Sequence, residues 1–387
     1  MGANWLCLIV FQTGEAVKLI KELAGEEYSV LLVLIGLIVT GLVGMFSLGI
    51  SGNDFWWHVK AGEWMVTNIS LPSIDTFSWF MQENGVKWVS HEWLSQIVLY
   101  ILHYLTGDLG MVFISLLAGI TMMLMIVISN RKAIAANILI ATAFLIPMTI
   151  LVKNMFYGRP HLISFFLLYA TLSCLYAFRQ NAKSRSIFLV PLIAVLWSNF
   201  HGGSSTLPYI LCFIFFVSGI FDFSSGKLHG ERLSNRQLGV YLIMGLLSIA
   251  AVAVNPYGLH MLAYPYINMA DAFQQEVINE WFAPDAKKVF HLILFYMPFF
   301  IVAVSLIISD KKIRFVDLLV FLFFSNMFFR SVRFAIVFNI AASFFVFDYL
   351  GNFEFFRTNK EGIEAKETMS LSEAIFVKRV SIVHLLQ

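Results

Sequence analysis

The sequence predicts an all-α, polytopic membrane protein, and three observations carry that prediction. Of 387 residues, 59% are hydrophobic and only 13% charged, with a mean hydropathy of +0.78, far more apolar than an average soluble domain. Several apolar runs reach the roughly 17–25 residues a bilayer-spanning helix needs. The alternation expected of transmembrane strands is missing from them, which argues against a β-barrel. A formal net charge of +2 does not point to nucleic acid, so the basic residues matter by position rather than by total.

Taken in order, the chain begins MGANWLCLIVF, which lacks a basic n-region and a small-residue cleavage site and is not read as a signal peptide. Residues 14–27 form a candidate surface-lying amphipathic helix with Lys18 and Lys21 toward headgroups. The first span is expected at 29–50, followed by a first outer loop at 51–108. Within that loop HEWLSQIVLYILHYLTG is apolar but is stopped by Gly107 and Asp108, a length suited to a re-entrant or interfacial segment. Further spans are expected at 109–129, 135–152, 161–178, 187–200, 205–223, 238–254, 291–309, 315–329 and 334–350, about ten in all by the window rule. Residues 1–350 are thus one transmembrane domain and 351–387 a cytoplasmic tail. Cys7, Cys174 and Cys212 are scattered in apolar sequence without a CxxC pair, which suggests small buried residues rather than a disulfide or zinc site.

Charge assigns the sides. If 91–106 does not cross, one side collects Arg131 and Lys132, then Arg179, Lys183 and Arg185, then Lys227, Arg232 and Arg236, then Lys311, Lys312 and Arg314. That side reads as cytoplasmic. The opposite side holds the 51–108 loop, the 153–160 turn, the His201 turn, the 255–290 loop and the Arg330–Arg333 turn.

Acidic groups, histidines and tryptophans crowd the 54–93 stretch, and a membrane protein that places such groups beside the bilayer usually does so for a site. In DFWWHVKAGEWM, Asp54 and His58 are four apart and share a helix face, while Trp56, Trp57 and Trp64 anchor at the interface. Partial desolvation there raises a carboxylate toward general-base range. The same pattern also fits an aromatic belt with an acid complementing the helix dipole. Asp75 and Ser90 are candidate caps as much as reactive groups. His91 and Glu92 bring a second acid and an imidazole. Asp54, His58, His91 and Glu92 are also acceptable ligands for a divalent ion, although no HExxH-like spacing is present. The cofactor stays open, with a divalent metal ion as the candidate.

Other polar groups interrupt apolar sequence on the same side. Arg159 sits in GRPHL before the helix that Pro160 starts. Asn199 and His201 sit in LWSNFHGG, where two glycines let a backbone or ligand approach closely. Asn255 and Tyr257 sit in the NPYG turn, and Glu280 precedes Trp281. Arg330 and Arg333 in one short outer connection run against the positive-inside tendency. A phosphate or pyrophosphate on a lipid would balance them, and so would snorkelling to headgroups. His260 and His291 read as ordinary interfacial residues.

These motifs, DFWWHVKAGEWM, LPSIDTFSW, KWVSHEWL, GRPHLISF, LWSNFHGG, NPYG and NEW, resemble a group of prokaryotic polytopic membrane proteins with an Asp-x-Trp-Trp-His first loop. That group in turn resembles the GT-C glycosyltransferases, such as protein O-mannosyltransferases and aminoarabinose transferases. The resemblance implies a catalytic acid in the first outer loop, where Asp54 falls, two interfacial helices before the second span, and a polyprenyl-phosphate sugar donor. Many GT-C enzymes pair two acids at that position, whereas Asp54 is followed by Phe55. The short tail implies a shortened member.

The expected activity is transfer of a sugar from a polyprenyl-phosphate carrier to an acceptor on the outer face of the membrane. Asp54, His58, His91 and Glu92 form the candidate catalytic set. Arg159, His201, Asn255, Glu280, Arg330 and Arg333 are the candidate substrate- and phosphate-binding set. Partners would be the lipid-linked donor, membrane lipids and a glycan, lipid or protein acceptor. A polymerase or ligase of lipid-linked glycans and a non-catalytic transporter or lipid-binding scaffold are the alternatives. Mid-span polar groups and repeat symmetry, which transport would favour, are not evident.

Overall fold

The structure, a computed structural model, describes residues 35, 53–136, 138–154 and 159–350. The expected surface helix at 14–27, the first span, Cys7 and the tail lie outside these residues. The described chain is mostly helical. Among the described residues, four helices are long and apolar enough to cross a membrane: Trp93–Ser129, His161–Gln180, Asn235–Val252 and Val289–Ile308. Of the other expected spans within the described residues, each contains helix, and 334–350 is divided into Ala335–Ala342 and Val346–Leu350.

Helix α1, Asn53–Asn68, carries Asp54 in its first turn, where an acid complements the N-terminal dipole. It packs closely on α3, Trp93–Ser129, and Gly62 permits this. A Cβ there would lie 2.1 Å from the Gln96 carbonyl oxygen and 2.7 Å from Tyr100 Cβ. Between them sits α2, Trp79–Glu83, capped by Ser78. Asp75 Oδ1 accepts from the Phe77 and Ser78 amides at 2.8 and 3.0 Å, so it holds a turn. Ser90 is no cap. Glu92 precedes the helix, and the Ser90 hydroxyl donates to Gln96 instead, at 2.7 Å.

Helix α3 is broken at Gly107, whose φ of 64° and ψ of −171° suit a residue without Cβ. The stop expected at Gly107 and Asp108 therefore falls at a real kink, bridged by His103 Nε2 and Asp108 Oδ1 at 2.7 Å. Proline sets the next boundaries. Pro160 precedes α6, His161–Gln180, which follows α4, Arg131–Ala136, and α5, Ile138–Asn154. Pro191 and Pro208 occupy the first turns of α7, Val190–Phe200, and α8, Leu207–Ser218. The missing N–H costs nothing at these positions. In the helix Val289–Ile308, a π-helical stretch at Leu292–Tyr296 ends two residues before Pro298. A wider turn relieves the clash between a proline ring and the preceding carbonyls.

One departure from an all-α chain is a three-stranded sheet, β1 Phe223–Ser225, β2 Leu228–Gly230 and β3 Ile313–Arg314, with β1 antiparallel and β3 parallel to β2. Strands this short leave no alternation to read. Lys227 Nζ donates to the Ser309 carbonyl at 2.8 Å and Lys312 Nζ to Ser224 Oγ at 2.7 Å. Beside this sheet Asp317 is fully buried. It accepts from Arg314 Nε at 2.6 Å, Tyr349 at 2.6 Å and Tyr176 at 2.9 Å, which satisfies a charge that burial would otherwise penalise. Lys227 and Lys312 thus tie the 223–230 and 309–314 connections to each other around this sheet.

Candidate functional site

The site is built on the tight turn Val89–Trp93, held from two distant parts of the chain. Tyr257 of the NPYG turn accepts the Ser90 amide at 2.8 Å. Asn199 accepts from Trp93 Nε1 at 3.0 Å and donates to the Val254 carbonyl at 2.8 Å. The Gly202 amide donates to the His91 carbonyl at 2.9 Å. A Cβ on Gly202 would meet Met261 Sδ at 2.3 Å and the His91 carbonyl at 3.1 Å, so any side chain there displaces Met261 and crowds this approach. Asn255 is spent on its own turn, accepting from the Tyr257 amide at 2.7 Å and donating to the Val252 carbonyl at 2.5 Å.

This clamp buries Glu92 among imidazoles. Its Oε1 lies 3.3 Å from His201 Nε2 and 3.6 Å from His91 Nε2, and its Oε2 lies 3.6 Å from His58 Nδ1. Burial pushes the Glu92 carboxyl up to about 8, against the pull of Arg333. Burial likewise lowers His58 to about 3 and His91 to about 4, and holds His201 well below its ordinary value. Near neutral pH this is an uncharged cluster, not a set of salt bridges. The outer nitrogens of two of these rings have partners: Ser164 Oγ lies 2.5 Å from His201 Nδ1 and Tyr264 Oη 2.8 Å from His91 Nδ1.

A charged string runs beside the cluster. Arg159 bridges Asp54 Oδ2 at 2.6 Å and Glu280 Oε1 at 2.7 Å, so a guanidinium fills the place between the two carboxylates. The Glu280 carbonyl accepts from Ser331 Oγ at 2.6 Å. Arg333 stacks 5.2 Å over Trp281 and hydrogen-bonds His161. Asp54 keeps a 46% exposed side chain. Although Asp54 and His58 come from one helix, Asp54 faces Arg159 while His58 faces Glu92 and Gln96.

Two cavities meet at this cluster. The first, about 310 Å³, has His91, His161, His201, Arg330 and Arg333 among otherwise largely apolar walls. The second, about 340 Å³, is lined by Trp57, Trp88, Lys87, Tyr264, Asp271 and Gln274. His91 and Asn268 belong to both. Asp54, His58, Glu92, Arg159, Asn255 and Glu280 line neither. Sequence reasoning gave no role to His161, Ser164 or Tyr264. The first two lie three apart in the opening turn of α6, a spacing that puts both on one face of an apolar helix. Tyr264 left no such signal.

No family model matches the chain, and no curated protein matches it either. Among solved structures it is similar to the oligosaccharyltransferase of Archaeoglobus fulgidus. The apo form aligns with a TM-score of 0.53 and 13% identity over 92% of this chain and 55% of that one. The form tethered by a disulfide to an acceptor peptide with the NVT sequon gives 0.52 and 12%, over 92% and 54%. The chain spans about half the length of these neighbours. At this identity the likeness is one of fold alone.

Proposed function

We propose that this chain is a membrane glycosyltransferase that moves a sugar from a polyprenyl-phosphate carrier to an acceptor on the outer face of the membrane. The observation that carries the reading is the cavity of about 310 Å³ in which Arg330 and Arg333 meet apolar walls and His91. Apolar walls suit a prenyl chain, and a pair of guanidinium groups suits its phosphate. The adjoining cavity, with Trp57 and Trp88 beside Lys87 and Asp271, suits a hydroxylated acceptor held against aromatic faces. The acceptor oxygen forms the new bond to the anomeric carbon and its proton passes to a carboxylate. The phosphate departs with the electron pair of the broken bond onto the arginines. In this reading Asp54, paired with Arg159 outside both cavities, is the base for an acceptor hydroxyl that extends past the cavity wall, and His58 holds Glu92 beside it.

Asp54→Asn is the test. In proteoliposomes supplied with a polyprenyl-phosphate sugar it should abolish transfer while expression stays at the wild-type level. Full activity would remove Asp54 from the mechanism. The fold shared with an oligosaccharyltransferase favours one second reading, a ligase or polymerase of lipid-linked glycans. Its product would be a transferred or extended glycan instead of a single added sugar.

A further inference from the structure

We infer that His91, Glu92 and His201 form a binding site for a first-row divalent cation of the zinc type, with one coordination position open to the cavity that holds Arg330 and Arg333. The three ligand atoms, two Nε2 and a carboxylate oxygen, lie within 4.8 Å of one another. Their separations from Glu92 Oε1 are 3.3 and 3.6 Å, longer than charge-assisted hydrogen bonds of about 2.7–2.9 Å. They match the edge of a tetrahedron, about 3.4 Å, drawn around a metal with ligands at about 2.0–2.1 Å.

The outer shell points the same way. A ligating imidazole nearly always engages its second nitrogen with a fixed partner, which orients the ring and sets its tautomer. Here Ser164 engages His201 Nδ1 and Tyr264 engages His91 Nδ1, turning both Nε2 atoms inward. Ser164 is itself fixed by Trp197 Nε1 at 2.8 Å. His58 faces the other Glu92 oxygen.

Gly203 keeps the approach clear. A side chain there would start 3.6 Å from His201 Nε2 and 4.0 Å from His91 Nε2, in front of both nitrogens. Two imidazoles and one carboxylate suit zinc, cobalt or a similar ion, whereas magnesium and calcium prefer oxygen cages. Three protein ligands leave the fourth position for an exogenous oxygen. That position faces the same cavity as Arg333, so a phosphate oxygen is the ligand its surroundings select. Only this last role rests on the transferase reading, because the metal site itself stands on the donor set.

The test uses full-length protein in nanodiscs, with the affinity tag removed, stripped with EDTA and titrated with Co²⁺, then with Zn²⁺ in competition. Wild type should take up roughly one equivalent, with the intense visible absorption of tetrahedral cobalt. His91→Ala and His201→Ala should each weaken binding at least tenfold, Tyr264→Phe about tenfold, and Asp54→Asn not at all. Wild-type protein that develops no cobalt band overturns the assignment, as does unchanged binding in the His91→Ala/His201→Ala double variant. Neither readout involves sugar transfer, so a failed metal site and a failed transferase reading are distinguishable.

Discussion

Glu92 shows at the scale of one residue how burial becomes a pH dependence. Folded, it keeps its proton up to about pH 8, while its ordinary value is 4.5. Across that window the folded form binds more protons, and stability falls as pH rises. His58 and His91 act in the opposite sense. Their folded values of about 3 and about 4 lie below the ordinary 6.5, so their contribution grows as pH rises and is complete above 6.5. The cluster alone therefore favours a stability maximum near pH 6.5. In chelator-treated detergent solution the melting temperature of wild type should fall between pH 6.5 and pH 8, and Glu92→Gln, which cannot ionise, should flatten that limb. An equal fall in both proteins would contradict the assignment. The sequence displayed His58, His91, Glu92 and His201 as residue types out of place beside a membrane. Their convergence was not readable, because it depends on the amide of Gly202 reaching the His91 carbonyl from more than a hundred residues away.

At the scale of elements, the contact between α1 and α3 rests on Gly62. Gly62→Ala sets a Cβ against a backbone carbonyl that cannot rotate away. It should cost roughly 1–3 kcal/mol and lower the melting temperature of the solubilised protein. Gly239→Ala, in α9, Asn235–Val252, meets no atom within 4 Å and should be neutral or mildly stabilising. Similar melting behaviour in the two variants would mean that the helices are not so close. Helix positions were legible here because apolar runs and prolines are local signals, and the stop at Gly107 was legible for the same reason. The π-helical turn before Pro298 and the small sheet were not. Both respond to tertiary packing, and neither leaves a periodic trace.

Across the whole molecule, sorting the connections by charge puts the basic ones on one side and the site loops on the other, which predicts the sidedness of the protein. In a background lacking Cys7, Cys174 and Cys212, cysteines at Glu83 and Glu276 should react with a membrane-impermeant maleimide on intact cells. Cysteines at Lys183 and Lys311 should react only after permeabilisation. All four positions are exposed, so the reverse pattern would place the site in the cytoplasm. Four long helices were evident from hydropathy, whereas the pairing of loops across the site end was not, since charge sorts loops into sides without saying which of them touch. One imidazole, that of His91, is wall to both chambers. A guest that tilts this ring from one side changes the shape met by a guest on the other, and linkage makes the influence mutual and equal. The two occupants would then bind as a correlated pair, each altering the other's dissociation constant by the same factor.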